Sequence, residues 1–389
     1  MKQFNVGVIG IGDISDVYLN NLKKYDIVKL TACAGRDITK AKKKASQHEI
    51  PKAYATGMEL IADSDIDIVL NLTVPMVHAH YNIAALQAGK HVYTEKPLAA
   101  TFADAQKTMR LAAEAGLYVG SAPDTFLGGR LQTCRKLIDN GSLGEVFAAS
   151  AFVVNHGHEW HHPNPDFFYQ PGGGPLLDIG PYYMTALLSL LGPVRTCSAM
   201  SARPFDTRVI HSEPRRGETI SVEVDTHITG NLGFASGAIG TFITSFDVWG
   251  SELPRIEIHG TKGSLCIADI DPLSGPNLFG GPTLLMTEAN YRWNRQPPPI
   301  PLVEWQEVPV EHRFNETGHD ANSRGIGLVD MAYAIRDGRK ERASGAMALH
   351  SMETMFALLR SAEEHRFIEI ESTFERPEPL PTDFPESEL

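Results

Sequence analysis

The segment Val6-Gly7-Val8-Ile9-Gly10-Ile11-Gly12-Asp13-Ile14-Ser15 constrains this chain more than any other stretch. An apolar run ends in two closely spaced glycines, and a helical pattern starts at once, which reads as strand, tight turn and helix. Gly10 admits the turn and Gly12 lets backbone approach a pyrophosphate. Ser15 takes the third position, where a small residue suffices for helix–strand contact. Asp13 and Ile14 open the helix, whose unpaired N–H groups and dipole favour negative charge. Such a turn is weak evidence alone. Here a second strand follows at βαβ spacing, so a dinucleotide is the expected ligand.

The pattern continues as far as Pro123. Strands are expected at Phe4–Ile9, Val28–Ala34, Ile66–Leu72, His91–Thr94 and Leu117–Ser121, and helices at Val17–Lys24, Lys40–Gln47, His80–Ala88 and Phe102–Ala115. Near-continuous apolar strands alternating with helices indicate a doubly wound parallel sheet covered on both faces. After a helix at Leu131–Asn140 the pattern changes to β-type alternation, at Val146–Val154, Thr219–Leu232, Ala238–Phe246, Arg255–His259 and Ser264–Ile267, with a hairpin turn at Gly260–Gly263. The expected fold is α/β: a Rossmann-type parallel sheet over residues 1–123, then an α+β domain over 124–389 with a large, mostly antiparallel open sheet. Helices are expected at Gly327–Arg336 and Ala346–Glu364. The Pro/Gly-rich stretch 270–301 reads as an irregular loop, and the acidic, Pro-rich tail from Glu375 as loose or lying along the surface.

Charge and cysteine content narrow the function classes. With 35 Lys+Arg against 47 Asp+Glu the net charge is −12, the wrong sign for wrapping nucleic acid or an anionic membrane. Cys33, Cys134, Cys197 and Cys266 lie far apart, which argues against a disulfide framework or a zinc site. No apolar run approaches the ~18–20 residues of a membrane span, and the chain enters its first strand without a leader-like segment, so a soluble cytoplasmic protein is expected.

Two further places carry chemistry. Gly35-Arg36-Asp37 follows the second strand: an acidic residue there binds the ribose hydroxyls of NAD, whereas an Arg accommodates the 2′-phosphate of NADP. Both signals are present, with NADP favoured by a small margin through Arg36. Glu95-Lys96-Pro97 follows the strand His91–Thr94, at the carboxyl edge where ligands bind in open α/β sheets.

These motifs, together with Thr73-Val74-Pro75-Met76-Val77-His78, Ala88-Gly89-Lys90-His91-Val92 and Gly172-Gly173-Gly174-Pro175-Leu176-Leu177-Asp178-Ile179-Gly180, resemble the Gfo/Idh/MocA family of NAD(P)-dependent oxidoreductases over nearly the whole chain. The resemblance implies hydride transfer between the nicotinamide and a carbon of a sugar, cyclitol or related polyol, by a homodimer or homotetramer built through the C-terminal sheet. It implies cofactor contacts from Thr73, Pro75, His78, Glu95 and Lys96. The family's D-x-G-x-H motif reads Asp178-Ile179-Gly180-Pro181-Tyr182 here, similar to its tyrosine branch. Lys96, Asp178 and Tyr182 are then the catalytic set and also touch substrate. An alcohol being oxidised must lose a hydroxyl proton, a phenol of pKa about 10 is a weak base, and a nearby ammonium strengthens it. Asp178 orients Lys96 or takes a substrate hydroxyl.

The loop His156-Gly157-His158-Glu159-Trp160-His161-His162 matches no helical zinc spacing, so no metal is assigned. It is expected to line the substrate, with Trp160 stacking on a sugar face and His161 or His162 bonding hydroxyls. Two alternatives keep the fold: transient oxidation by tightly bound NAD that cleaves a glycosidic bond, and a non-catalytic dinucleotide sensor.

Overall fold

The computed structural model describes residues 3–253, 255–268, 278–294, 300–318 and 322–385. Its first third holds a six-stranded parallel sheet of β1 (Phe4–Ile9), β2 (Val28–Ala34), β3 (Lys52–Tyr54), β4 (Ile68–Asn71), β5 (His91–Thr94) and β6 (Val119–Ser121), in the order β3-β2-β1-β4-β5-β6. Helices α1 (Asp13–Leu22), α2 (Ile38–Gln47), α3 (Gly57–Ile61), α4 (His78–Gln87) and α5 (Phe102–Ala115) connect the strands. Strand order reverses between β1 and β4, the point where such sheets open a crevice at their carboxyl edge. The glycine turn after β1 lies there. β3 and α3 escape the sequence pattern because both are short: three residues and five residues give no period to detect.

The chain then passes through α6 (Gly129–Asp139) into a nine-stranded sheet. It contains β7 (Val146–Val154), β8 (Val194–Ala202), β11 (His227–Phe234), β12 (Ile239–Ser245), β13 (Ile256–Gly260), β14 (Gly263–Ile267), β15 (Thr283–Thr287), β18 (Gln306–Val308) and β19 (Ile368–Glu369). β9 (Thr207–Val209) and β10 (Thr219–Ser221) form a separate small ladder, as do β16 (Tyr291–Asn294) and β17 (Ile300–Val303). All neighbours in the large sheet are antiparallel except β7 and β12. The expected strand Thr219–Leu232 is therefore two strands in two sheets, broken at Val222–Thr226. Of the expected loop 270–301, residues 270–277 and 295–299 lie outside the described residues; the rest includes strands β15, β16 and the start of β17.

Three more helices, α7 (Pro175–Asp178), α8 (Gly180–Leu191) and α10 (Gly345–Glu364), pack on this sheet, whereas α9 (Ile326–Asp337) packs on β6 and α1. Every residue of α8 is buried, so it has no polar face to betray its period. α10 packs on β8 and α8 and also on α5 and β6, and Ser121 N–H donates to Ala343 O at 3.0 Å. The last helices thus join the two sheets. The tail to residue 385 is anchored. Arg135 donates to Pro377 O, Leu380 N–H donates to Gln132, and Phe384 is wholly buried beside Tyr333. Residues 386–389 lie outside the described residues.

Candidate active site

Gly10 has φ +98°, and a Cβ there would stand 2.6 Å from the carbonyl carbon and oxygen of Leu72. Only glycine fits this turn. Gly10→Ala is expected to lower Tm by several degrees and to abolish dinucleotide binding, read by thermal melting and fluorescence titration. Ser15 substitutes well for the usual small apolar residue: it is wholly buried and its hydroxyl donates to Gly12 O at 2.6 Å. Gly12 is the N-cap of α1, no side chain caps it, and nothing lies within 4 Å of a Cβ built on it. Open space before uncapped amides is the cradle a pyrophosphate needs, so the residues present fit a dinucleotide.

Beyond β2, Arg36 and Asp37 are both exposed, but their roles separate. Asp37 is the N-cap of α2, its Oδ1 accepting from Thr39 N–H at 2.8 Å and Lys40 N–H at 3.3 Å. One oxygen of the acidic residue is therefore engaged by its own helix, while Arg36 is not part of that cap. On the loop after β4, Thr73 bonds Asn71 Oδ1 through its hydroxyl (2.6 Å) and its N–H (3.2 Å), and Pro75 opens a single turn flanked by exposed Val74 and Met76.

Two expected cofactor contacts are held elsewhere. His78 is wholly buried, with Nδ1 at 2.7 Å from Pro97 O and Nε2 at 2.9 Å from Thr73 O. Both ring nitrogens are taken, so His78 ties the β4 loop to the Lys96–Pro97 turn and offers no atom to a nicotinamide. Glu95 accepts from Tyr18 hydroxyl at 2.8 Å and from Lys96 N–H at 2.8 Å, which fastens α1 to the end of β5.

Lys96, Asp178 and Tyr182 do come together. The Lys96–Pro97 peptide is cis, and Lys96 Nζ donates to Asp178 O at 2.5 Å and to Asp178 Oδ1 at 3.1 Å. It lies 5.5 Å from the centre of the Tyr182 ring. Asp178 ends α7 and Tyr182 stands in the first turn of α8, so the motif spacing puts both beside the strand-end lysine. Burial disfavours charge on Lys96, but Asp178, Tyr182 and Glu95 outweigh it and raise its pKa, keeping the ammonium. Burial likewise opposes the Asp178 carboxylate, yet Lys96 and His158 hold its pKa well below the usual range.

Two members of the cluster were not singled out by sequence. His158 Nε2 lies 3.0 Å from Asp178 Oδ2, and its ring stacks on Phe168 at 3.9 Å. Arg324 Nη2 donates to the Tyr182 hydroxyl at 3.1 Å. The rest of the histidine loop is arranged differently from expectation. Trp160 is 47% exposed, but one of its faces is covered by His211, stacked at 3.9 Å and 9°. His161 Nε2 faces His158 Nδ1 at 3.3 Å, and His162 Nδ1 accepts from Asn164 N–H, so neither has reached past His158 towards Lys96. Buried Glu159, paired with Arg208 at 2.9 Å and bonded by Tyr169, fixes the loop from beneath.

Residues 4–122 match the model of the oxidoreductase family with an NAD-binding Rossmann fold, and residues 131–266 match the GFO/IDH/MocA C-terminal domain. The chain is 30% identical over 225 residues to the 1,5-anhydro-D-fructose reductase of Ensifer adhaerens, a match covering 57% of this chain and 62% of the reductase. It is 25% identical over 336 residues to the D-xylose dehydrogenase of Paenarthrobacter nicotinovorans, covering 79% and 84%. Levoglucosan dehydrogenase in complex with NADH has the same fold, at TM-score 0.76 and 19% identity over 95% of this chain and all of that one.

Proposed function

This chain belongs to the GFO/IDH/MocA oxidoreductase family, and from that premise we propose that it oxidises or reduces a secondary alcohol carbon of a sugar or polyol with NADP. The observation that carries the reading is the Lys96–Asp178–Tyr182 cluster at the carboxyl edge of β5, the same edge as the Gly10–Gly12 turn. The curated relatives, a reductase and a dehydrogenase of sugars, support the substrate class.

The turn Gly10–Gly12 and the amides opening α1 would hold the pyrophosphate, with Thr73 and Pro75 along the same crevice. A nicotinamide cofactor bound there would supply the hydride acceptor for oxidation of the alcohol carbon and the hydride donor for reduction of the carbonyl. The chain's own residues handle the proton and the charge. Lys96 donates to the substrate oxygen, fixing its position and stabilising negative charge as the hydroxyl proton leaves. Tyr182 takes that proton at its phenolic oxygen in oxidation and gives one back in reduction. Asp178 holds the ammonium in place and, through its other oxygen, His158. The exposed side of the nine-stranded sheet, with Ile239 and Met200 uncovered, supports association through that sheet.

Arg36 distinguishes the cofactors, because one oxygen of Asp37 is engaged by its helix. NADPH is expected to bind more tightly than NADH and to weaken with salt, since the 2′-phosphate contact is exposed. Arg36→Ala should lose NADPH affinity by about tenfold or more and leave NADH affinity within about threefold, measured by fluorescence titration. Tighter NADH binding in the parent, unchanged by Arg36→Ala, assigns the ribose to Asp37 and sinks this part of the reading. Failure of both nucleotides to bind sinks the whole.

A further inference from the structure

We propose that Arg324 is a second cationic partner of the reacting phenol, acting on the Tyr182 oxygen beside Lys96. The inference rests on Tyr182 being the proton-transfer group. Its basis is geometric. Arg324 Nη2 donates to the Tyr182 hydroxyl oxygen at 3.1 Å, and its guanidinium carbon lies 5.6 Å from the ring centre. Lys96 Nζ lies 5.5 Å from the same centre. Two cations therefore share one buried tyrosine, which is 7% exposed.

The direction of this bond has a chemical consequence. A guanidinium donates and never accepts, so the Tyr182 oxygen must be the acceptor. The phenolic O–H is then turned away from Arg324, which leaves it free to exchange a proton with a substrate hydroxyl. When that oxygen carries negative charge, the same bond becomes charge-assisted and roughly doubles in strength. In reduction, where Tyr182 gives up its proton, the bond strengthens as the proton leaves and lowers the barrier; in oxidation it favours the deprotonated phenol that must be present to accept the substrate's proton.

Arg324 is placed by the cofactor half of the molecule. Asn21 of α1 donates through Nδ2 to Asn322 O at 2.6 Å and to Arg324 O at 3.0 Å. Asp124 Oδ2 accepts from Gly325 N–H at 2.8 Å and Gly327 N–H at 3.0 Å, clamping the start of α9. The helix that opens at the phosphate turn thus holds, at its other end, the residue that bonds the catalytic tyrosine. Glu95, Tyr18 and Asp124 surround the guanidinium along with Tyr182; against the burial that opposes its charge, they keep it protonated.

The test compares Arg324→Met, Arg324→Gln and Tyr182→Phe with the parent enzyme, using the sugar that gives the highest turnover and NADP. Arg324→Met is expected to lower kcat about 100-fold with KM for the sugar within about threefold. NADPH affinity should stay within the same limits. Low-millimolar guanidinium chloride, far below denaturing concentration, should restore part of the Met variant's kcat and none of Tyr182→Phe's. Arg324→Gln keeps a donor, on a shorter side chain and without the charge, and should still lose at least about tenfold, which covers the case of a Met variant that does not fold. A folded Met or Gln variant within threefold of the parent overturns the inference. So does a loss of kcat matched by an equal loss of NADPH affinity and unaffected by guanidinium, the mark of a purely structural role. If Tyr182→Phe itself keeps most of its kcat, it is the tyrosine reading that fails.

Discussion

Lys96→Met is expected to lower kcat by about 10³-fold while leaving NADPH affinity within about threefold. Methionine nearly preserves the length and apolar stem of lysine, so the substitution removes the ammonium and little else. Two consequences follow at the site. The substrate oxygen loses the donor that would stabilise its developing charge. Asp178, whose carboxylate is 3.1 Å from Nζ and 3.0 Å from His158, is left with the histidine alone. A partly buried carboxylate deprived of its cation is costly, so Tm should fall as well. On the proposed reading the nucleotide depends instead on Gly10, Gly12 and Arg36, at the ends of β1 and β2. Stopped-flow turnover and fluorescence titration on the same preparation separate the two effects. A variant within tenfold of the parent kcat removes Lys96 from the chemistry; a parallel collapse of NADPH binding shows that the substitution has disturbed the crevice instead.

The parts of this molecule that sequence predicts well are those written into local pattern. β1, α5 and β7 carry full periods over six to fourteen residues, and each forms over the expected span. The glycine turn is legible because its φ and its close approach to Leu72 leave no alternative residue. Lys96, Asp178 and Tyr182 are legible only through their motifs, since strand-end and helix-start positions lie far apart in the chain and meet through packing. What local pattern cannot reveal is which of two charged neighbours is already engaged. Asp37 reads as a ribose ligand until its helix claims it as a cap, yet the signal was available: Asp before Ile-Thr-Lys is a common helix start.

His78 and Arg324 mark the other limit. A histidine opening a helix gives no sign that two backbone carbonyls, one from beyond β5, will occupy both of its nitrogens. Arg324 is separated from Tyr182 by 142 positions and is joined to it only because α9 docks on the parallel sheet through Asp124. His158 lay within a loop read as substrate-lining, but the loop's fold, set by the buried Glu159–Arg208 pair, decides that His158 and not His161 or His162 faces Asp178. Hydrogen bonds between segments distant in the chain place these groups, and no period in the chain encodes them.

Tyr182→Phe should lower kcat by about 10²- to 10⁴-fold, the range that a positioned acid–base group supplies. The substitution deletes one oxygen and keeps the ring, which is buried against Lys96 and Arg324, so packing is retained. It does leave Arg324 Nη2 without its acceptor, a cost on the order of 1–3 kcal/mol if no water takes the place. Tm should therefore fall modestly, and less than in Lys96→Met, where a carboxylate loses its countercharge. Activity and stability then rank the two variants in a way that a general loosening of the site would not: both nearly inactive, one clearly less stable. The pH profile adds a second check. With the phenol gone, residual turnover should no longer follow the parent's profile. A loss of less than tenfold would move the proton to His158, the remaining acid–base group on Asp178, and His158→Gln in the Tyr182→Phe background should then abolish what is left.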